Sequence, residues 1–261
     1  MLHYDYYYTI GVTHQVCEDF AMQGDKPVPF LVLSDGCSSS ENTEIGARIL
    51  TMATKHLLEN ATDWPWNYSI FGRQLINKAW QVAEEMQLPS SVLDATVMLA
   101  FLYQDSILVY VYGDGCLLFK DYSGNINTID ISFTHNAPYY LTYWNDDERR
   151  EEYAKQEPSP LILSNSMNGL SGPKPFQTPL SFCFSLKKFK MVAIASDGMT
   201  QCIDISQKTK LSLNEVASNF LTIQELNHEF VKHHLQSTLK QYAQQGIYPA
   251  DDLSIGVFAK A

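Results

Sequence analysis

Apolar residues occur along the chain in short runs whose composition predicts β-strands. The runs are rich in β-branched and aromatic residues, which are favoured in strands. The predicted strands are residues 6–12, 30–34, 96–103, 106–113, 116–122, 126–132, 181–186, 191–196 and 253–260. Short, turn-like separators at 104–106, 113–115 and 123–125 predict a run of antiparallel hairpins between residues 96 and 132.

A second pattern places apolar residues three and four positions apart and predicts helices. It covers residues 42–60 and 68–86, separated by the sequence WPWN, and it recurs at 211–221 and 226–245. Residues 134–180 are rich in proline and show little periodicity. We therefore expect an irregular surface excursion there, with a short helix in its charged run, NDDERREEYAKQE.

Helices before and after blocks of hairpin-forming strands predict an α+β fold. The strands at 30–34 and 191–196 are apolar throughout, as expected of strands that are covered on both faces. A central antiparallel β-sandwich with helices packed on both outer faces satisfies this pattern. Because no long repeat or low-complexity linker divides the chain, we expect one domain over residues 1–261, with an insertion at about 134–180.

Charge and cysteine content argue against several kinds of partner and site. The chain has 29 acidic and 18 basic residues, a formal charge of −11, and no cluster of basic residues, which argues against a nucleic-acid partner. The five cysteines are odd in number and lack metal-binding spacing, which is typical of reduced thiols. We expect Cys116, Cys183 and Cys202 in the core. With no visible signal peptide or membrane-spanning stretch, we expect a cytoplasmic protein without a membrane partner.

Carboxylates stand at the ends of several predicted strands. Twice an apolar run leads directly into Ser-Asp-Gly, at Asp35 and Asp197. Others at strand ends are Glu18, Asp19, Asp114, Asp251 and Asp252. A charge fixed at the end of a buried strand is costly unless a positive group lies beside it. Mg²⁺ and Mn²⁺ prefer such oxygen ligands, so these residues predict a divalent-metal site if the strand ends converge.

Six segments resemble the ordered motifs of the metal-dependent PP2C-type (PPM) serine/threonine protein phosphatases. They are GVTHQVCED, VLSDGCSSSENTEIGARI, DATVMLAFL, VYVYGDG, AIASDGM and ADDLSIGVF, and they extend over nearly the whole chain. The resemblance implies a β-sandwich flanked by helices, with a centre of two Mn²⁺ or Mg²⁺ ions at one end of the sandwich.

The resemblance also implies a role for each matching residue. Asp35 matches the aspartate that bridges both ions, and Gly36 matches the glycine whose carbonyl binds one of them. Asp197 and Asp251 match the aspartates that complete the shell of the other ion. Glu18 and Asp19 match the acidic pair that holds a metal directly or through water. A water shared by the two ions would attack phosphorus, so no protein nucleophile is needed.

Four positions depart from the family pattern, and one of them is Ser38, which replaces a common glycine. His14 stands where many members carry an arginine that grips the substrate phosphate. Because a subset of bacterial members looks similar here, we assign His14 as the phosphate contact, with a surface-turn histidine as the alternative. Cys37 replaces a histidine proposed to protonate the leaving group, so bulk water would serve instead. Gln201 replaces an aspartate of a third metal site, so Asp114 is either a ligand of a third ion or a turn residue.

The expected function is hydrolysis of phosphoserine or phosphothreonine in a phosphorylated protein, by a monomer. Two alternatives stay open. One is a non-catalytic regulatory or binding module of the same fold, motivated by the departures at His14, Cys37 and Gln201. The other is a two-metal hydrolase of small phosphoesters, because no residue specifies a protein substrate.

Overall fold

The computed structural model describes residues 1–61, 67–156, 158–167 and 169–261, and most of its strands form two antiparallel sheets. The strands are β1 (Leu2–Thr9), β2 (Asp19–Gly24), β3 (Phe30–Gly36), β4 (Ala95–Tyr103), β5 (Ser106–Tyr112), β6 (Gly115–Asp121), β7 (Ile126–Phe133), β8 (Leu161–Asn165), β9 (Gly169–Lys174), β10 (Leu180–Ser185), β11 (Phe189–Ala195), β12 (Cys202–Asp204), β13 (Thr209–Lys210), β14 (Ile247–Pro249) and β15 (Leu253–Lys260). One sheet has the order β1-β15-β11-β6-β7-β8-β9 and the other β10-β5-β4-β3-β2. A small third sheet has the order β13-β12-β14.

The two large sheets pack face to face, with helices on both outer faces. The helices are α1 (Thr43–Glu59), α2 (Tyr68–Glu85), α3 (Asp147–Gln156), α4 (Leu213–Phe220) and α5 (Phe230–Gln244). Leu33 and Ile194 belong to the core between the sheets. A second core joins α1 and α2 to the five-stranded sheet, and a third joins α4 and α5 to the seven-stranded sheet. The predicted α+β sandwich is confirmed.

Covering each sheet on both faces explains the strands that lack alternation. In β3 every residue except Asp35 is buried, and in β11 every residue except Lys190 is buried. Side chains that point to opposite faces of these strands enter different cores, so both sets are apolar. These two strands are also the ones that lead into Ser-Asp-Gly.

The predicted run of hairpins is wrong at one connection. β4 pairs with β5 and β6 pairs with β7, but β5 and β6 belong to different sheets. Residues 113–115 therefore cross from one sheet to the other and do not form a hairpin turn. Gly113 and Gly115 have φ values of 109° and 123°, a region of backbone space that favours glycine.

The excursion at 134–180 is less irregular than expected. It contains the predicted short helix, α3, but also β8 and β9, which extend the seven-stranded sheet from β7. Most residues of β8 are only half-buried, which accounts for the weak apolar signal. Strands β2 and β12 to β14 were also missed. Cys116 and Cys202 are buried as expected, whereas Cys183 is exposed.

The break between α1 and α2 and the helix lengths concern the longer segments of the chain. The first three residues of the WPWN sequence lie outside the described residues. Among the residues that are described, no helix is both long and apolar enough to cross a lipid bilayer.

Candidate metal centre

Four of the carboxylates identified from the sequence line one cavity of about 250 Å³. Asp35 lies at the end of β3, and Asp197 follows β11. Asp114 lies in the crossing between the sheets, and Asp251 lies shortly before β15. Gly36, Cys37, Ser38 and Tyr140 belong to the same lining. The strand ends therefore converge, as the metal-site prediction requires.

The registers of the strands explain this convergence. In the seven-stranded sheet, Ala195 near the end of β11 pairs with Cys116 of β6 and with Ile255 of β15. Because β6 and β15 begin near the point where β11 ends, the carboxylates just beyond these strand ends lie at the same end of the sheet. In the facing sheet, β2 and β3 place Asp35 directly opposite Asp19.

Burial and repulsion between neighbouring carboxylates raise the pKa of three cavity residues, Asp35, Asp114 and Asp197. Burial, and then the charge of Asp197, raises the pKa of Asp114 to about 7. Burial, and then the charge of Asp251, raises the pKa of Asp197 to about 6. For Asp35, burial and then four surrounding carboxylates raise the pKa well above its ordinary value. A bound cation would remove this repulsion, so the electrostatics of the cavity favour a metal ion.

Asp19 carries a carboxylate oxygen for which the described residues provide no hydrogen-bond partner. Its side chain is 1% exposed and does not line the cavity. Oδ2 accepts a hydrogen bond of 2.7 Å from the Ser196 hydroxyl, whereas Oδ1 has no partner within the described part of the chain. Burial raises the pKa of Asp19 to about 7. An unsatisfied buried carboxylate oxygen facing Asp35 fits the acidic ligand that the resemblance implies.

Glu18 and His14 form a second cluster with the two aspartates before β15. His14 Nε2 lies 3.1 Å from Asp251 Oδ1, and His14 Nδ1 lies 3.3 Å from Asp252 Oδ2 and 3.7 Å from Glu18 Oε2. Ligand atoms of His14, Glu18 and Asp252 lie within 4.8 Å of one another. His14 is therefore held among carboxylates next to a cavity residue, although it does not line the cavity itself.

Gly36 occupies a position that only glycine fits. A Cβ at this residue would lie 2.8 Å from the side chain of Thr43, a distance too short for two carbon atoms in contact. The Thr43 hydroxyl in turn hydrogen-bonds to Glu18 Oε1 at 3.1 Å and to the Cys37 carbonyl at 3.2 Å. The tight packing behind Gly36 therefore keeps its backbone at the cavity surface.

Asp114 lies in the crossing between the two sheets and not in the predicted hairpin turn, whereas its role in a third metal site stays a prediction. Thr96 donates a hydrogen bond of 2.6 Å from its hydroxyl to Asp114 Oδ1, which stabilises the crossing between the sheets. The same carboxyl group lines the cavity. Gln201, at the position tied to a third metal, does not line the cavity, and its side-chain oxygen accepts a hydrogen bond from Lys210.

Asp252 has a structural role that the sequence did not reveal. It is 2% exposed, and its two oxygens accept hydrogen bonds from the backbone nitrogens of Gly11 at 2.7 Å and Glu18 at 2.6 Å. These bonds fasten both ends of the loop that carries His14 to the start of β15. The Asp-Asp sequence was visible as a pair, but local spacing gives no indication of which aspartate faces the cavity.

Replacing Asp252 with Asn is expected to destabilise the fold by about 2 kcal/mol, because the amide group cannot accept both backbone hydrogen bonds and leaves one buried donor unpaired. Denaturant unfolding without added metal measures this change. Asp251→Asn is the matched control, because Asp251 is 36% exposed and we expect a smaller loss. Equal losses in the two variants would contradict the anchoring role of Asp252.

A sequence profile described as Protein phosphatase 2C matches residues 12–240 of this chain. No curated protein matches the chain as a relative.

Several solved structures share the fold over the whole chain. The serine/threonine phosphatase Stp1 from Staphylococcus aureus is 15% identical with a TM-score of 0.61, covering 100% of this chain and 96% of its own. The S. agalactiae serine/threonine phosphatase is 16% identical with a TM-score of 0.61, covering 100% of both chains. The catalytic domain of the serine/threonine phosphatase PstP, solved in complex with two manganese ions, is 14% identical with a TM-score of 0.57, covering 99% of this chain and 97% of its own.

Proposed function

Because the chain belongs to the protein phosphatase 2C family, we propose that it is a metal-dependent phosphatase that hydrolyses phosphoserine and phosphothreonine in proteins. One observation supports the proposal most directly: four carboxylates from separate strand ends line a single cavity, and burial together with the neighbouring charges raises the pKa of three of them, Asp35, Asp114 and Asp197. Such a cavity suits hard divalent cations. Because water bound to these cations would serve as the nucleophile, the reaction requires no protein nucleophile. The manganese ions in the structure of PstP are consistent with this chemistry.

The chain's own residues supply the ligands. Asp35 would hold both ions and the Gly36 carbonyl one of them, while Asp197 and Asp251 would complete the other shell. Asp19, whose Oδ1 has no hydrogen-bond partner among the residues that the structure describes, would hold a metal ion together with Glu18, directly or through water. Two Mn²⁺ or Mg²⁺ ions bound there would supply a nucleophilic water near neutral pH and neutralise charge on the phosphoryl oxygens. A third ion at Asp114 remains a separate proposal, because Gln201 is bound to Lys210.

Protonation of the leaving group is assigned to bulk water. Cys37 lines the cavity, at the position that the resemblance ties to a general acid. Its sulfur lies 3.0 Å from the Ser39 hydroxyl, and a thiol is a weak hydrogen-bond donor. The proposed reaction therefore depends on the metal ligands and the phosphate contact rather than on Cys37.

We propose His14 as the phosphate contact, because its ring lies 3.1 Å from Asp251 at the side of the cavity. His14→Ala is expected to raise KM for a phosphothreonine peptide by about tenfold, with a smaller decrease in kcat, because a grip on the ground-state phosphate is mostly uniform binding. His14→Arg should keep or improve activity, since a guanidinium donates two parallel hydrogen bonds. Steady-state kinetics of both variants measure this. An unchanged KM in His14→Ala would show that His14 does not contact the substrate phosphate and only contacts the neighbouring carboxylates.

Two alternatives are distinguished by substrate. A non-catalytic module of this fold would hydrolyse neither a phosphothreonine peptide nor a chromogenic aryl phosphate in the presence of Mn²⁺. A hydrolase of small phosphoesters would act on the aryl phosphate and fail on the peptide. The proposed function predicts hydrolysis of both, with a higher kcat/KM for the peptide. Failure on the peptide together with activity on the aryl phosphate would overturn the protein-phosphatase assignment.

We propose that residues 1–261 form one domain and act as a monomer in the cytoplasm, in a signalling role opposite a protein kinase. The shared core between the two sheets supports a single domain, and the free cysteines support a reducing compartment. The formal charge of −11 favours a basic phosphorylated segment over an acidic one.

A further inference from the structure

The acidic cavity has two walls that come from distant parts of the chain. One wall, called the loop wall, is the loop at residues 37–40 after β3, of which residues 37–39 line the cavity. The other wall is residues 136–140 in the excursion. Asp94, immediately before β4, contacts both sides and is 3% exposed. It does not line the cavity, and neither the residue spacing nor the family resemblance gave it a role.

Asp94 binds the loop wall through its backbone and its side chain. Its carbonyl oxygen accepts a hydrogen bond of 2.9 Å from the Cys37 backbone nitrogen. Its Oδ2 accepts a hydrogen bond of 3.1 Å from the Ser40 hydroxyl. These two hydrogen bonds therefore hold the loop wall in place against Asp94.

The same carboxylate binds the excursion. Thr142, which is fully buried, donates a hydrogen bond of 2.7 Å to Asp94 Oδ1. Arg149, in the first turns of α3, donates two parallel hydrogen bonds, 3.1 Å to Oδ1 and 2.9 Å to Oδ2. Its guanidinium also lies 4.6 Å from the ring centroid of Tyr143. Each carboxylate oxygen of Asp94 thus has two donors.

This ion pair differs from its neighbour in burial. The Asp94 side chain is 4% exposed, whereas Arg150 pairs with Asp147, which is 81% exposed and lies in the same helix. An exposed pair within one helix contributes little. Loss of Arg149 would leave the buried Asp94 charge with hydroxyl donors only, which is strongly unfavourable. The Asp94–Arg149 pair is therefore a buried ionic link between the excursion and the residue to which the loop wall is bonded.

We propose that Asp94 and Arg149 are positioning residues that hold residues 136–149 against the loop at 37–40 and so set the entrance through which a phosphorylated protein segment reaches the cavity. This inference rests on the proposed phosphatase function, and it identifies two residues that would distinguish a phosphorylated protein segment from a small phosphoester. A peptide extends beyond the cavity over both walls, whereas a small aryl phosphate occupies the cavity alone. Loosening the walls therefore affects the peptide far more than the small substrate.

The test compares Arg149→Gln with Arg150→Gln as the matched control, using a phosphothreonine peptide and an aryl phosphate with Mn²⁺. Arg149→Gln is expected to raise KM for the peptide about tenfold and to change kcat/KM for the aryl phosphate and the Mn²⁺ requirement by less than about twofold. Arg149→Lys, which keeps the charge but loses the paired geometry, should lie between. Arg150→Gln should match the wild type. Amide hydrogen exchange of residues 136–145 should accelerate in Arg149→Gln alone.

The double variant Asp94→Asn with Arg149→Gln removes the unpaired charge and provides a folded protein if the single variant is too unstable. Its peptide KM should remain raised. Identical peptide KM and exchange rates in the Arg149 and Arg150 variants would overturn the proposal, and so would a large change in the Mn²⁺ requirement, because the pair would then support the metal ligands. A wild type that hydrolyses neither substrate would defeat the phosphatase function instead, and hydrogen exchange would still decide whether the pair holds the walls.

Discussion

Replacing Asp35 with Asn is expected to lower kcat by more than about three orders of magnitude. Asp35 ends a buried strand, lines the acidic cavity and faces Asp19 across the β2–β3 pair. Its carboxylate is influenced by four other carboxylates, so it is the centre of the charge cluster. Asn has the same shape but carries no charge, and it would weaken the binding of both proposed ions. Steady-state hydrolysis of a phosphothreonine peptide at saturating Mn²⁺ measures the loss.

Asp114→Asn is the matched control, because Asp114 is a buried aspartate that lines the same cavity. We expect about a tenfold loss, since the Thr96 hydroxyl can still donate to the remaining side-chain oxygen and the residue is tied only to a third ion. Equal damage from the two substitutions would mean that the ligand roles of Asp35 and Asp114 must be exchanged or merged.

The second large effect is the loss of activity on metal removal. Exhaustive chelation is expected to abolish hydrolysis, and millimolar Mn²⁺ or Mg²⁺ should restore it, because shells of carboxylate and water hold these ions loosely. Bound metal should also raise the melting temperature, since it binds the folded chain and relieves the repulsion in the cavity. Sodium chloride at equal ionic strength is the control. Full activity in the chelated protein would rule out the proposed chemistry.

The sequence predicted the parts of the site that follow from strand ends. Asp35 and Asp197 were found because an entirely apolar strand that leads into an aspartate is an unusual local pattern, and the structure places both in the cavity. The apolar, non-alternating strands also indicated layers that are covered on both faces, and the sandwich between helices confirms this.

The parts that were missed depend on contacts between distant residues. The Gly-Asp-Gly sequence at 113–115 is compatible with a hairpin turn and with a crossing between sheets. Only the placement of β5 and β6 in different sheets shows that it is a crossing. Similarly, Asp94 and Arg149 are 55 residues apart and lie in segments without matching periodicity. Nothing in the local sequence indicates that a charged residue in an exposed-looking helix pairs with a buried carboxylate.

If the acidic cavity binds metal ions through Asp35, the number of Mn²⁺ ions bound per chain must depend on this residue. Equilibrium binding measured by electron paramagnetic resonance reports ions per chain without requiring catalysis. We expect about two Mn²⁺ ions per wild-type chain, as carboxylates on separate strands would support, and a clear loss of binding in Asp35→Asn with the fold intact. A wild-type chain that binds no Mn²⁺, or an Asp35→Asn chain that binds it as well as the wild type, would show that the cavity does not bind metal through Asp35.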